Sequence, residues 1–268
     1  MSCWIIIMNR FSHIAGIIWI TLTVFGCNDI IEYSPYDTNV VSRNININNA
    51  ALISSNAERL DTLKFALCSD PHTSYDELKN TIQNINRQEG LQFIVCCGDV
   101  TDCGLSQEFI WYHEIINNSR YPVITVIGNH DYRSNGLKIF NRMFGPSNMS
   151  FICMGYNFIV FDDVVWENNN KSPKFDWLKT ELGKSNLPCI LLTHIPPWTD
   201  QLEGVYCLVF ESLISKSNLI LCLHGHQHSF STRVFACVPA IVSDDIGDRE
   251  YYIIKLYGIQ HKIVRIRF

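Results

Sequence analysis

The sequence of 268 residues has no run of lysines or arginines, no internal repeat and no low-complexity block. With a formal net charge of −5 it lacks the basic surface that neutralises a polynucleotide backbone, so no nucleic-acid-binding patch is expected. Charge of either sign is scarce, at 18% of residues against 47% hydrophobic, which fits a packed globule rather than a solvated chain. A long apolar span is missing too. The run Ile14–Phe25 falls short of the roughly 20 residues that a membrane-spanning helix needs.

Cysteine, by contrast, is plentiful, with 11 residues. Cys68, Cys96, Cys97, Cys189 and Cys222 lie inside apolar runs, where a free thiol behaves as a small hydrophobe. Adjacent Cys96 and Cys97 point to opposite faces if that run is a strand. Bridges among Cys153, Cys207 and Cys237 stay open. Cys103 could act as a metal-competing or oxidisable thiol, which requires a depressed pKa and exposure.

Five short motifs hold six of the nine histidines. In chain order they are Asp70-Pro71-His72, Gly98-Asp99-Val100-Thr101-Asp102, Gly128-Asn129-His130-Asp131, Thr193-His194 and His224-Gly225-His226-Gln227-His228. Each follows an apolar run rich in strand formers: Leu63–Cys68, Phe93–Cys97, Pro122–Ile127, Cys189–Thr193 and Leu219–Leu223. Metal-ligand side chains therefore gather where strands end, the usual seat of a ligand in an open α/β sheet. Taken singly, Asp70-Pro71 and Asn129 read as ordinary turn residues. All five in order, each behind a strand, read as a metal site.

The chemistry explains the residue types. Two divalent ions a few ångströms apart need a bridging carboxylate and neutral nitrogen and oxygen donors on each side, and a hydroxide between them can attack phosphorus in line. The mixed donor set suits Mn, Fe, Zn or Mg and selects none of them.

The set resembles the calcineurin-like metallophosphoesterase superfamily, whose pattern reads D-x-H, G-D-x-x-D, G-N-H-[DE], H, G-H-x-H. The resemblance runs from about Leu63 to Phe230. It implies a dinuclear-metal-dependent hydrolase of phosphomonoesters or phosphodiesters. Asp70, His72 and His228 would bind one ion, Asp99 would bridge, and Asn129, His194 and His226 would complete the second. His130 resembles the general acid and Asp102 the carboxylate that orients it, with Asp131 as a further hydrogen-bond acceptor. Two departures narrow the branch. Cys103 stands where the Ser/Thr protein phosphatases carry a phosphate-clamping arginine, and Asp102 where purple acid phosphatases carry a tyrosine. What remains is similar to the broad bacterial phosphoesterase and cyclic-nucleotide phosphodiesterase branch. A non-catalytic binding scaffold of the same fold on the cell envelope is the alternative, but scaffolds of this kind lose ligands and here every position is filled.

Around the motifs, Asn9-Arg10, the apolar run Ile14–Phe25 and Gly26-Cys27 have the layout of a secretory signal over residues 1–27. Val24-Phe25-Gly26-Cys27 resembles a bacterial lipobox, with Phe25 departing from the usual small or branched residue. That resemblance implies a lipid anchor at Cys27 and a cell-envelope location, periplasmic or surface-exposed; a plain membrane anchor is the other reading. Residues 28–60 read as a polar tether with a short helix over 50–60, and residues 61–268 as the metallophosphoesterase domain. Helical patterns cover Tyr75–Arg87, Leu105–Asn117 and Lys174–Leu182. A hairpin turns at Gly155, and four strands follow the last motif near Arg233–Cys237, Ala240–Val242, Tyr251–Tyr257 and Lys262–Arg267. The expected fold is the four-layer α/β/β/α sandwich that the resemblance implies. No cap domain is inserted between Asp131 and His194. Candidates for selecting a small phosphoester substrate are Tyr132-Arg133, Ile195–Trp198 and Gln201–Tyr206. His224 faces the pocket or packs, and His113 reads as a helix-surface residue.

Overall fold

Alternation along the strands divides the side chains between two cores. In β1 (Leu63–Cys68), Leu63, Phe65 and Leu67 join one buried cluster, while Ala66 and Cys68 join another. Cys96 and Cys97 split the same way, as adjacent strand residues must. The first cluster draws almost entirely on strand residues of both sheets. The second carries the buried faces of the helices, including Leu78, Phe109, Leu178 and Phe210. Two sheets thus face each other with helices outside them, in a computed structural model that describes residues 34–55, 62–184 and 186–268.

The first sheet runs in the order β11-β10-β1-β2-β3, with β2 at Ile94–Cys96, β3 at Val123–Thr125, β10 at Glu250–Tyr257 and β11 at Gln260–Arg267. Here β1, β2 and β3 are parallel, and the β10–β11 hairpin closes one side antiparallel. The second sheet runs β4-β5-β6-β7-β9-β8, from β4 (Met149–Cys153) and β5 (Tyr156–Val160) through β6 (Cys189–Leu192) and β7 (Leu219–His224) to β9 (Val238–Val242) and β8 (Ser231–Phe235). Its four inner strands are parallel and its two outer ones antiparallel. Phe65 stacks on Phe93 at 4.9 Å, and both meet Phe158 of the other sheet edge-on at 5.5 and 5.1 Å. Such a cluster adds about 0.5–1.5 kcal/mol per ring pair beyond burial and pins one sheet on the other.

Six helices flank the described strands: α1 (Ile45–Ser55), α2 (Tyr75–Ile85), α3 (Ser106–Ile116), α4 (Gly136–Met143), α5 (Phe175–Gly183) and α6 (Val205–Ile214). The expected sandwich is present, and the helices expected near 75, 105 and 174 fall within two residues of their places.

Three expectations change. The helix expected over 50–60 lies over Ile45–Ser55, so the end of the polar stretch assigned to a tether is helical. Its asparagines are spent on the backbone of β3: Asn46 exchanges two bonds with Thr125 (2.7 and 2.9 Å), and Asn49 Nδ2 donates to the Val123 carbonyl at 2.9 Å. Helix α6 begins inside Gln201–Tyr206, a segment expected to be a substrate-selecting loop. Cys153, Cys207 and Cys237 are free thiols, so no bridge joins them. The run Ile14–Phe25 and Cys27 lie outside the described residues, among which no helix is long and apolar enough to cross a membrane.

Candidate metal centre

Each motif starts where a parallel strand stops, and parallel neighbours bring those ends to one edge. The loops are then laced together. Asp70 N donates to the Gly98 carbonyl (3.1 Å), His72 N to that of Asp99 (3.0 Å) and Gly225 N to that of His194 (3.0 Å). Among the bonds that cross between the sheets, His194 Nδ1 donates to the Cys97 carbonyl at 2.6 Å, and the His226 amide donates to the Asp70 carboxylate at 3.0 Å.

The motif glycines are required by this lacing. A Cβ on Gly98 would sit 2.5 Å from His194 Nδ1, and one on Gly225 would sit 1.9 Å from Ser69 Oγ and 2.5 Å from Asp70 Oδ2. Non-glycine residues carry the strain instead. Asp70, His72, Asp99, His226 and His228, five of the nine candidates, have φ between 43° and 72°. Each left-handed residue costs of order 1 kcal/mol, and such clusters occur where function demands the geometry.

Three sets of donors result, and one of them, His72 with Asp102 and His130, overlaps the first of the two that follow. Asp70, His72 and His228 bring one ligand atom each within 4.8 Å of one another, and Asp99, His194 and His226 do the same. Asp99 Oδ2 stands between them, 3.2 Å from His194 Nε2 and 3.8 Å from His72 Nε2. Asn129 Oδ1 joins the second group, 3.2 Å from His194 Nε2 and 3.0 Å from His226 Nδ1. His72 Nε2 and His228 Nε2 face each other at 3.3 Å, and buried His72 Nδ1 has no hydrogen-bond partner.

Electrostatics fit this donor set to a cation. Burial works against a charged His194, but the Asp99 and Asp70 carboxylates outweigh it and raise its pKa well above the ordinary histidine value. Burial also opposes ionised Asp99, yet the imidazoles of His194, His130 and His72 hold it below the usual carboxylate range. The carboxylates therefore demand positive charge at the spot where the donor atoms converge. Burial and then His194 push His226 down to about 4, which leaves its ring neutral and its lone pair free.

Beside these groups, His130 Nδ1 meets Asp102 Oδ1 at 3.0 Å and the Asp102 carbonyl at 3.1 Å, while its amide donates to Asp99 Oδ1 at 2.8 Å. Arg133 covers the other ring nitrogen, with Nη2 3.0 Å from His130 Nε2 and Nη1 donating to the Asp102 carbonyl. Buried Asp131 accepts from Thr101 N and Oγ1, Gly128 N and Val100 N, a truss under the loops. Burial and the Asp99 charge push it up to about 7. All nine candidates thus come together. His224 packs instead, with Nδ1 2.7 Å from Thr193 Oγ1 and Trp198 edge-on to its ring. Cys103 is exposed, but desolvation and then the Glu108 and Asp102 carboxylates raise its thiol, which argues against an activated thiolate.

The motifs gave no sign of Glu108, Asp163 or Glu167. Glu108 gathers the amides of Asp102, Cys103 and Leu105, and Asp163 takes the amide of Ile195 after His194. Glu167 Oε1 accepts from Asn129 Nδ2 at 3.0 Å and its Oε2 from Gln201 Nε2 at 3.2 Å, which turns Asn129 Oδ1 toward the histidines. Glu167 lies in a polar loop far from any motif. Only the fold brings it to the site.

Residues 63–230 match the calcineurin-like phosphoesterase family. The chain belongs to that family. Among relatives, it is 23% identical over 172 residues to glycerophosphodiester phosphodiesterase GpdQ of Enterobacter lignolyticus, covering 56% of this chain and 62% of that one. A probable cyclic nucleotide phosphodiesterase of Synechococcus is 22% identical over 114 residues, covering 41% of this chain and 45% of the other. This calcineurin-like chain therefore spans less than two thirds of the length of either relative. The structure of purple acid phosphatase PPD1 from yellow lupin seeds superposes with a TM-score of 0.61 at 12% identity, over 77% of this chain and 51% of that one, a likeness of fold. Calcineurin-like phosphoesterases normally use divalent metals, and the His/Asp clusters here could hold one.

Replacing Glu167 with alanine frees the Asn129 amide to turn over. Loss of such an outer partner typically costs 10–100-fold in metal affinity, so calorimetric titration with Mn²⁺ should show a drop of about that size, largely restored by Glu167→Gln. An unchanged affinity in Glu167→Ala would mean that other contacts orient Asn129.

Proposed function

We propose that the protein is a metal-dependent phosphoesterase that hydrolyses phosphomonoesters or phosphodiesters of small molecules with a pair of divalent ions. Asp70, His72 and His228 would hold one ion, Asn129, His194 and His226 the other, and Asp99 would serve both. One observation carries this reading: Asp99 Oδ2 stands between two separate donor groups, 3.2 Å from His194 Nε2 and 3.8 Å from His72 Nε2. Ions bound there would neutralise phosphoryl charge and lower the pKa of a water nucleophile.

The remaining work falls to the chain itself. Asp102 takes His130 Nδ1–H, so Nε2 is the nitrogen that carries the proton to the leaving oxygen. Arg133 donates to that same nitrogen at rest, and an arriving anion must draw the guanidinium onto itself before Nε2 can be protonated. The arginine missing at Cys103 is thereby supplied from the third motif's loop. A donor in every ligand position weighs against the scaffold reading. Export and attachment by a lipid at Cys27 belong to the same proposal, supported by Arg10, the apolar run to Phe25 and Gly26-Cys27.

Elemental analysis tests the shared ligand. Asp99→Ala should lose both ions and nearly all turnover while the far-ultraviolet spectrum persists, and retention of two ions would overturn the bridging role. His130→Ala should cost about 10²–10⁴-fold in kcat on alkyl phosphates, whose leaving group needs a proton, and far less on p-nitrophenyl phosphate. Equal losses on both substrates, with metal still bound, would make His130 structural. For the anchor, mature protein should partition into detergent and Cys27→Ser should not. Identical partitioning and identical N-termini for the two would refute lipidation.

A further inference from the structure

A cavity of about 560 Å³ opens beside the metal centre, with Tyr132, Arg133, Lys138, Glu167, Asn168 and Lys171 on its walls. Two of those residues bind the centre itself: Arg133 Nη2 meets His130 Nε2, and Glu167 Oε1 accepts from Asn129. Any group attached to a phosphate at the centre and extended to this side enters the cavity. Its size lies within the range of small-molecule sites.

The lining has one sign of charge to spare. In a chain of net charge −5, three cationic side chains, Arg133, Lys138 and Lys171, surround one space. The only carboxylate there, Glu167, has both oxygens taken by the amides of Asn129 and Gln201. Lys138 and Lys171 are exposed and form no ion pair with a described carboxylate, while Arg133 reaches Asp102 only at 3.9 Å. The walls are built. The loop after Glu167 is tied by amides of Asn168 and Asn170 on the Val165 carbonyl, and the Arg133 carbonyl accepts from Gly136 at the start of α4. A second cavity of about 400 Å³ continues past Tyr132 and Lys171 to Lys174, and its one carboxylate, Asp162, is engaged by Tyr132 and Ser147 hydroxyls. The metal centre is rich in carboxylates, so the cations give the mouth a direction, acidic at the ions and basic along one arm.

We propose that this basic cavity seats a second phosphate on the ester arm of the substrate, so that the preferred substrates are small bisphosphorylated molecules. The inference rests on the phosphoesterase reading above and specifies its substrate class. Arg133 would bridge the two phosphates, with Lys138 and Lys171 on the distal one.

Paired esters on one carbon skeleton test it: propane-1,3-diol monophosphate and bisphosphate, with the Mn²⁺-loaded full-length protein and its Lys138→Ala/Lys171→Ala variant. Wild type should favour the bisphosphate by about tenfold in kcat/KM, carried by KM, as two partly screened charges can supply. The double variant should lose that preference, while its rates on the monophosphate and on bis(p-nitrophenyl) phosphate stay unchanged. Raising the salt should shrink the wild-type preference as well. Equal kcat/KM for the two esters in wild type, or a preference that survives in the double variant, would overturn the proposal. Calorimetric binding of the bisphosphate to metal-free protein keeps the two readings apart. If no ester of any kind is hydrolysed, the phosphoesterase reading fails; an affinity then equal in wild type and double variant overturns the basic seat, and a tenfold weaker affinity in the variant upholds it.

Discussion

The carboxylate of Asp99 is the knot on which the site depends. One oxygen holds the backbone of His130 in place, and the other faces imidazoles from both sheets. Its residue sits in a left-handed turn that no ordinary loop would favour, and it is nearly fully buried. A buried anion of this kind is tolerable only where positive charge or donors surround it. The histidines meet that need, and they can do so only because strands from two separate sheets end at the same place.

That coincidence is secured some distance away. The rings of Phe65, Phe93 and Phe158 lock one sheet on the other, and the lacing of carbonyls and amides at the strand ends converts the fixed sheets into fixed positions for the candidate ligands. Five left-handed residues in one small region are a cost that local contacts alone would not sustain. A rigid four-layer body around them makes any relaxation of one loop a clash with the next, as the contacts around Gly98 and Gly225 show.

Much of this was legible in the sequence because strand ends and ligand types coincide there. Apolar runs ending in Asp, His and Gly specified β1, β2, β3, β6 and β7, and with them the nine candidate residues that the fold gathers at one edge. Less was legible where a residue's partner lies far along the chain. Glu167 acts through the side-chain amides of Asn129 and Gln201, 38 and 34 residues away, and the polar loop around it looks like a solvent-facing turn. Helix α4 was hidden by its short length, and α6 by an apolar content spread round the helix, with Val205 and Leu208 exposed. The asparagine-rich start of α1 misled for a different reason: its polarity serves a neighbouring backbone rather than water.

That last contact bears on association between molecules. A sheet whose outermost strand leaves its amides and carbonyls unpaired invites a strand from another chain, and proteins blunt such edges with charge or cover. The β11 edge carries Lys262, Arg265 and Arg267. The β3 edge has no such charges, and Asn46 and Asn49 occupy its backbone instead, as a side-chain imitation of a neighbouring strand. The family match begins at Leu63, after this helix. A chain that began there would keep every residue of the candidate metal centre and yet bare the β3 edge that Asn46 and Asn49 now cover, so the asparagine-rich helix counts as part of the folded unit.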